Sequence, residues 1–129
     1  SLAHKTGAIF HIPHGCANAI YLPYVIQYNQ KACAERYAEI AKHIHLPGKN
    51  TSELVESYLQ LLNKLNKTME IPSTLKEYGI AEDDFTKNLD RIANNAVEDA
   101  CTGCNPRPTT ASDFKKLLQA IYYGNRVDF

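Results

Sequence analysis

Apolar side chains recur at helical spacing along most of this chain, and this pattern constrains the fold more than any other feature. Three stretches each place apolar residues three or four positions apart, on one continuous helix face: Leu54, Tyr58, Leu61, Leu62 and Leu65; Phe85, Leu89, Ile92, Ala96 and Val97; and Phe114, Leu117, Leu118 and Ile121. No stretch alternates apolar and polar residues with the period of two that is typical of a half-buried strand. The pattern therefore predicts an all-α array of about six or seven helices.

Pro- and Gly-containing breaks divide the apolar pattern into five main helices. We predict these helices near residues 15–29, 34–44, 51–68, 84–100 and 111–122. Asn50 with Glu53, and Thr110 with Asp113, have the spacing of an N-cap residue followed by an acidic residue in the first turn. Pro23 lies inside the first predicted helix, so it should either kink that helix or remove one of its backbone hydrogen bonds.

Length and charge exclude several classes of protein. The 129 residues fit one domain, and Lys plus Arg and Asp plus Glu both total 14, so the net charge is near zero. A nucleic-acid-binding domain would show a basic excess, and a membrane-spanning helix needs about 20 apolar residues, so neither nucleic acid nor membrane is an expected partner. The sequence shows no charged segment followed by an apolar one, which is the pattern of a signal peptide, so none is expected.

The four cysteines are expected to be reduced thiols in a cytoplasmic protein.

Three histidines near the start of the chain are the first candidates for chemistry. His4, His11 and His14 lie within eleven residues, and histidine is the commonest side-chain metal ligand. Pro13 predicts an extended or turn conformation between the last two, and a self-contained zinc site would need three or four protein ligands. The spacing alone leaves two interpretations open: a segment that delivers imidazoles to a metal, or three ordinary histidines in a polar loop.

Cys101 and Cys104 form a C-x-x-C pair that is a weaker candidate. A redox pair usually lies in a βαβ context, and a zinc knuckle needs a second pair of cysteines; this chain has neither. The pair by itself therefore does not indicate redox or metal chemistry.

Four sequence segments resemble the iron-containing (group III) alcohol dehydrogenases. Residues 4–8 (HKTGA) and 12–19 (IPHGCANA) are similar to the second signature of that family, and residues 36–41 (RYAEIA) and 101–107 (CTGCNPR) fall where the family has similar segments. The resemblance extends over essentially all 129 residues. Only residues 30–35 separate the first helix from the RYAEIA segment, where bifunctional aldehyde–alcohol dehydrogenases carry an extra stretch, which favours a single-function parent enzyme.

The resemblance implies a metal-dependent oxidoreductase with two domains. In the family, an N-terminal α/β domain binds NAD or NADP, and an all-helical C-terminal domain holds a divalent metal, here expected to be iron with zinc as the alternative. Residues 1–129 would then be part of that helical metal-binding domain, without the nucleotide-binding domain. His14 matches one of four family metal ligands, and the other three are absent from this chain. His4 matches a family histidine beside the reacting oxygen that orients substrate or relays a proton, and Cys101 lies near the cleft.

The parent enzyme implied by this resemblance interconverts a primary alcohol and an aldehyde, with NAD(P) as the hydride carrier. No residue of the chain is matched to the nucleotide. The 129 residues alone are expected to be catalytically silent and to self-associate through the apolar helix 15–29. The alternative function is a small helical binding or scaffold module without catalysis.

Overall fold

The computed structural model describes residues 1–129 and is built from helices, with no strand. The elements are α1 (Leu2–Phe10), α2 (His14–His43), α3 (Thr51–Thr68), α4 (Leu75–Tyr78), α5 (Glu82–Glu98), a 3₁₀ helix (Thr102–Cys104) and α6 (Ala111–Tyr123). The predicted all-α fold is therefore confirmed. Helices α3, α5 and α6 lie within two residues of their predicted bounds, whereas α4 and the 3₁₀ helix were not predicted.

Helix α1 corrects the interpretation of the first residues as a turn or loop. Pro13 affects only its immediate neighbours: α1 ends at His11, which adopts the left-handed conformation (φ 56°), and Pro13 is the N-cap residue of α2. The residues before it are free to be helical, and Leu2 and Thr6 are buried on the inner face of α1. His4 consequently lies on a helix.

Helix α2 joins two helices that the sequence analysis had separated. It runs for 30 residues and is kinked at Cys33, whose backbone is non-helical (φ −143°, ψ 35°). Pro23 lies inside the helix and has no N–H, so one backbone hydrogen bond of the helix is missing there. The carbonyl of Ala19, which would have paired with an N–H at position 23, instead accepts a hydrogen bond from Asn66 Nδ2 on α3 at 2.8 Å.

Both predicted N-caps are confirmed. The side chain of Asn50 accepts a hydrogen bond from the backbone N–H of Glu53 at 2.9 Å at the start of α3. Thr110 and Asp113 form a reciprocal capping box at the start of α6, with each side chain bonded to the other residue's backbone N–H. These local signals depend only on neighbouring residues, which is why the sequence predicts them correctly.

The main core lies between α1, the first half of α2, α5 and α6. It contains 21 buried residues, among them Tyr28, Phe85, Leu118 and Tyr122. Helix α3 packs on α2 through two smaller apolar clusters. One is centred on Val55, and the other is formed by three buried residues between positions 38 and 54. This arrangement brings α1 against both α2 and α5. No helix in the structure combines the length and apolarity required to cross a bilayer.

Candidate functional site

The structure brings His4 and His14 together at the junction of α1 and α2. Their ring centroids are 5.4 Å apart and their planes differ by 11°, so the two imidazoles are stacked. Both side chains are exposed, as expected of groups that act on a ligand from outside this chain. His11, the third histidine of the segment, is also exposed but lies at the end of α1, in the turn before Pro13.

A carboxylate from the end of α5 completes this arrangement. Asp99 Oδ2 lies 3.1 Å from His4 Nδ1 and 3.5 Å from Lys5 Nζ, and Asp99 Oδ1 accepts a hydrogen bond from the backbone N–H of Cys101 at 2.9 Å. The hydrogen bond from Cys101, followed by that from His4, holds the pKa of Asp99 well below its usual range. The carboxylate is therefore ionised at neutral pH, although its side chain is only 9% exposed.

Cys101 lies beside the same two side chains. Ligand atoms of His4, Asp99 and Cys101 lie within 4.8 Å of one another, and imidazole, carboxylate and thiolate are all zinc ligands. However, the Lys5 ammonium group already lies against the Asp99 carboxylate, so a cation here would meet an existing positive charge. The contacts favour a hydrogen-bonded histidine–carboxylate pair over a separate metal site.

The loop that follows α5 is held against α2 by buried polar contacts. Asn29 and Asn105 exchange two side-chain hydrogen bonds, of 2.9 and 2.8 Å. Arg107 donates to the carbonyls of Tyr28 and Phe129 at 2.8 and 2.7 Å, and its guanidinium group lies 3.9 Å from the centre of the Tyr28 ring. These contacts hold the backbone of residues 101–107 in place. They therefore also hold the Cys101 N–H that donates to Asp99.

An apolar groove adjoins the site on the side of α2 and α6. Its volume is about 410 Å³, and its walls include Leu22, Val25 and Phe114, with Cys101 among the residues that line it. Tyr21 forms part of one wall and donates a hydrogen bond to Thr6 at 2.6 Å, while burial raises the pKa of Tyr21 to about 12. The phenol therefore stays protonated at neutral pH, and the groove presents a largely uncharged surface.

The chemistry of one further histidine fits a metal ligand. His14 is an exposed imidazole at the first position of α2, and imidazole is the commonest side-chain ligand of metals in proteins. It does not belong to the cluster formed by His4, Asp99 and Cys101. Asp99 was missed by the sequence analysis, because a single aspartate at the end of a helix carries no motif and the fold alone brings it to a histidine 95 positions away.

Comparisons with known proteins place these residues in a family context. The profile described as "Fe-containing alcohol dehydrogenase family, C-terminal" matches residues 1–122. The NADPH-dependent butanol dehydrogenase of Clostridium saccharobutylicum is 58% identical over 129 residues, which are all of this chain and 33% of that protein. The bifunctional aldehyde-alcohol dehydrogenase AdhE of Escherichia coli K12 is 41% identical over 141 aligned positions, covering 96% of this chain and 16% of that protein.

Solved structures show the same similarity at the level of the fold. A 1,3-propanediol oxidoreductase superposes with a TM-score of 0.84 at 28% identity, covering 94% of this chain and 31% of the other. An alcohol dehydrogenase from Oenococcus oeni superposes with a TM-score of 0.83 at 32% identity, with the same two coverages. The chain thus spans about a third of the length of the single-function relatives and structures that it matches.

Proposed function

This chain belongs to the Fe-containing alcohol dehydrogenase family, and we propose that it is part of the metal-binding helical domain of an enzyme that interconverts a primary alcohol and an aldehyde. The observation that carries this proposal is the 58% identity to a butanol dehydrogenase along the whole chain. NAD or NADP would bind mainly to the part of the longer enzyme that this chain does not span. The substrates would be small alcohols and aldehydes.

We assign to His14 the role of one imidazole ligand to a divalent metal, iron in the first instance and zinc as the alternative. Its exposed position at the start of α2 supports this role, and the remaining ligands would come from the rest of the enzyme. A divalent metal bound there would supply Lewis-acid stabilisation of negative charge on the alcohol oxygen. His14 itself binds and orients, and it needs to be neutral to do so.

We assign to His4 the role of orienting the substrate hydroxyl or relaying its proton. The stacking of His4 on His14 supports this assignment, because it places a second imidazole 5.4 Å from the ring that would hold the metal. The hydrogen bond to Asp99 engages Nδ1 of His4 and leaves Nε2 available for the substrate. A positioned acid–base group of this kind contributes about 10²–10⁴-fold to a rate.

Replacing each histidine in the full-length protein that contains this chain separates the two roles. His14→Ala should lose bound metal and nearly all turnover, because removal of one ligand weakens a site whose affinity depends on ligand number. His4→Ala should lower turnover and keep the metal. His43→Ala, which removes an exposed histidine from the far end of α2, is the matched control and should leave both unchanged.

Metal analysis and NAD(P)-linked alcohol oxidation are the measurements. Stoichiometric metal and normal activity in His14→Ala would show that this ligand is misassigned. Metal loss in His4→Ala equal to that in His14→Ala would contradict the division of roles. A full-length protein with neither metal nor NAD(P)-linked activity on any small alcohol or aldehyde would overturn the proposed function.

A further inference from the structure

We propose that Asp99 is a positioning residue for His4, because its carboxylate holds the proton of the neutral imidazole on Nδ1 and leaves Nε2 as the nitrogen with the free electron pair. The inference rests on the proposed function for its catalytic consequence, since it assigns the group that prepares His4 for its role. Its structural part, the tautomer of His4, stands on the contacts of this chain alone.

The hydrogen-bonding chemistry of the pair determines which ring nitrogen of His4 is the donor. A carboxylate that is ionised can only accept hydrogen bonds, so the ring nitrogen 3.1 Å from Asp99 Oδ2 has to be the donor. In a neutral imidazole one nitrogen carries the proton and the other accepts, and the partner of one nitrogen therefore determines the state of both. Asp99 thus selects the Nδ1–H form of His4.

The carboxylate of Asp99 is itself held in one orientation. Its other oxygen, Oδ1, accepts the backbone N–H of Cys101 at 2.9 Å, so rotation of the carboxylate away from His4 would break that bond. The loop that supplies this N–H is attached to α2 by the Asn29–Asn105 pair. With only 9% of its side chain exposed, Asp99 meets little competition from water for its hydrogen-bond donors.

The charge of Asp99 is unfavourable for the helix on which this residue lies. It is the C-cap residue of α5, where the helix dipole disfavours a negative charge, and the last turn of α5 contains no basic residue to offset it. The stabilising partners come from α1, as the imidazole of His4 and the ammonium group of Lys5, and from the Cys101 N–H in the following loop. The unfavourable interaction of the carboxylate with the α5 dipole is therefore offset by its contacts with α1 and with the Cys101 N–H.

The ring of His4 is restrained on a second side. One edge bonds to Asp99, and one face stacks on His14 at a centroid separation of 5.4 Å. An edge contact and a face contact together define the plane and the rotation of an imidazole. Asp99 and His14 thus orient His4 jointly, while only Asp99 determines which nitrogen is protonated.

The direct test is the tautomer of His4, measured by two-bond ¹H–¹⁵N NMR correlation on the ¹⁵N-histidine-labelled chain of residues 1–129, at a concentration at which light scattering shows a monomer. Spectra are recorded at a pH above which the His4 ring signals no longer change, and a His4→Gln variant identifies those signals among the signals of the five histidines. We expect the Nδ1–H form in the unmodified chain. Asp99→Asn removes the negative charge that requires a hydrogen-bond donor, and it changes the shape of the side chain little. The variant should shift His4 to a mixture of the two tautomers or to the Nε2–H form.

Two further variants control this measurement. Lys5→Met removes the other charged partner of Asp99 and should leave the Nδ1–H form in place, since the carboxylate remains. Asp99→Glu retains the carboxylate and should keep more of the Nδ1–H form than Asp99→Asn does. A His4 that is in the Nε2–H form in the unmodified chain overturns the inference without reference to any variant, and so does an unchanged tautomer in a folded Asp99→Asn chain.

The catalytic consequence is tested in the full-length protein that contains this chain. Asp99→Asn should lower kcat at least about tenfold with KM and metal content close to those of the unmodified enzyme, because a misplaced proton impairs transfer more than binding. Asp99→Glu should restore part of kcat, and Asp90→Asn, an exposed change on α5, should have no effect. Unchanged kcat in Asp99→Asn overturns the catalytic part. Absence of dehydrogenase activity in the unmodified protein counts against the proposed function, whereas the NMR result tests the tautomer separately.

Discussion

The hydrogen bond from Asn66 to the carbonyl of Ala19 predicts a specific loss of stability when Asn66 is replaced by alanine. Pro23 has no N–H, so the Ala19 carbonyl inside α2 has no partner four residues later along the helix. Asn66 Nδ2 on α3 donates to that carbonyl at 2.8 Å and replaces the missing bond. Asn66→Ala removes this donor and leaves the carbonyl unpaired at the interface between α2 and α3.

The expected magnitude is the difference between two opposing effects. An acceptor left without a partner costs about 1–3 kcal/mol, and since Ala19 and Asn66 are both half-buried we take the lower part of that range, about 1–2 kcal/mol. Replacing asparagine by alanine within a helix returns roughly 0.6 kcal/mol in helix propensity. The net decrease in the free energy of unfolding should therefore be about 0.5–1.5 kcal/mol.

The assay is urea unfolding of the 129-residue chain, followed by circular dichroism at the helical band. Asn63→Ala is the matched control, because Asn63 is an exposed asparagine one turn earlier on α3 and its replacement should show the propensity gain alone. The two variants should thus differ by about 1–2 kcal/mol. Pro23→Ala provides a second background, in which an N–H at position 23 can pair with Ala19, and there Asn66→Ala should cost about 1 kcal/mol less.

Two results would refute this reasoning. Equal stabilities of Asn66→Ala and Asn63→Ala would show that the side chain of Asn66 contributes nothing beyond helix propensity. An identical cost of Asn66→Ala with proline and with alanine at position 23 would show that Asn66 does not compensate for the missing N–H. The double-mutant cycle cancels the separate effects of Pro23 on packing and on the entropy of the unfolded chain, which either single variant would confuse with the hydrogen bond.

Two further predictions concern the capping box and the isolated chain. Thr110→Ala should lower the free energy of unfolding by about 1 kcal/mol in urea unfolding at neutral pH. The backbone N–H of Thr110 is the main cause of a lowered pKa at Asp113. The contribution of this carboxylate to the free energy of unfolding is therefore complete above its unfolded pKa of about 3.9, and it is lost as the pH falls through the lower folded value. Asp113→Asn should flatten the acid side of the profile of stability against pH, and an unchanged profile would contradict the assignment. The 129-residue chain should self-associate in light scattering, and Leu22→Lys should reduce the association because Leu22 is 43% exposed on the wall of the apolar groove. A monomer at high concentration would refute this prediction. The chain should also not reduce aldehydes with NAD(P)H, and activity above the blank would refute that expectation.

Features that depend on neighbouring residues could be predicted from the amino-acid sequence. The apolar spacing of Leu54 to Leu65 and of Phe114 to Ile121 predicted α3 and α6 correctly, since a helix face repeats every three or four residues whatever it packs against. The capping box at Thr110 followed from the same kind of local chemistry. His4 and His14 were singled out from the resemblance to a family, because their spacing alone favoured three ordinary histidines in a loop over a metal-binding segment.

Features that depend on residues far apart in the chain could not be predicted and became visible in the packing of the helices. Helix α1 was not predicted because its stability comes from burying Leu2 and Thr6 against other helices. Asp99 reaches His4 across 95 positions because α1 packs against α5, and no local pattern records that contact. Propensity and capping act over a few residues, whereas the partner of a given side chain is set by how whole helices pack, and so the sequence predicts the helices while the fold selects which side chains meet.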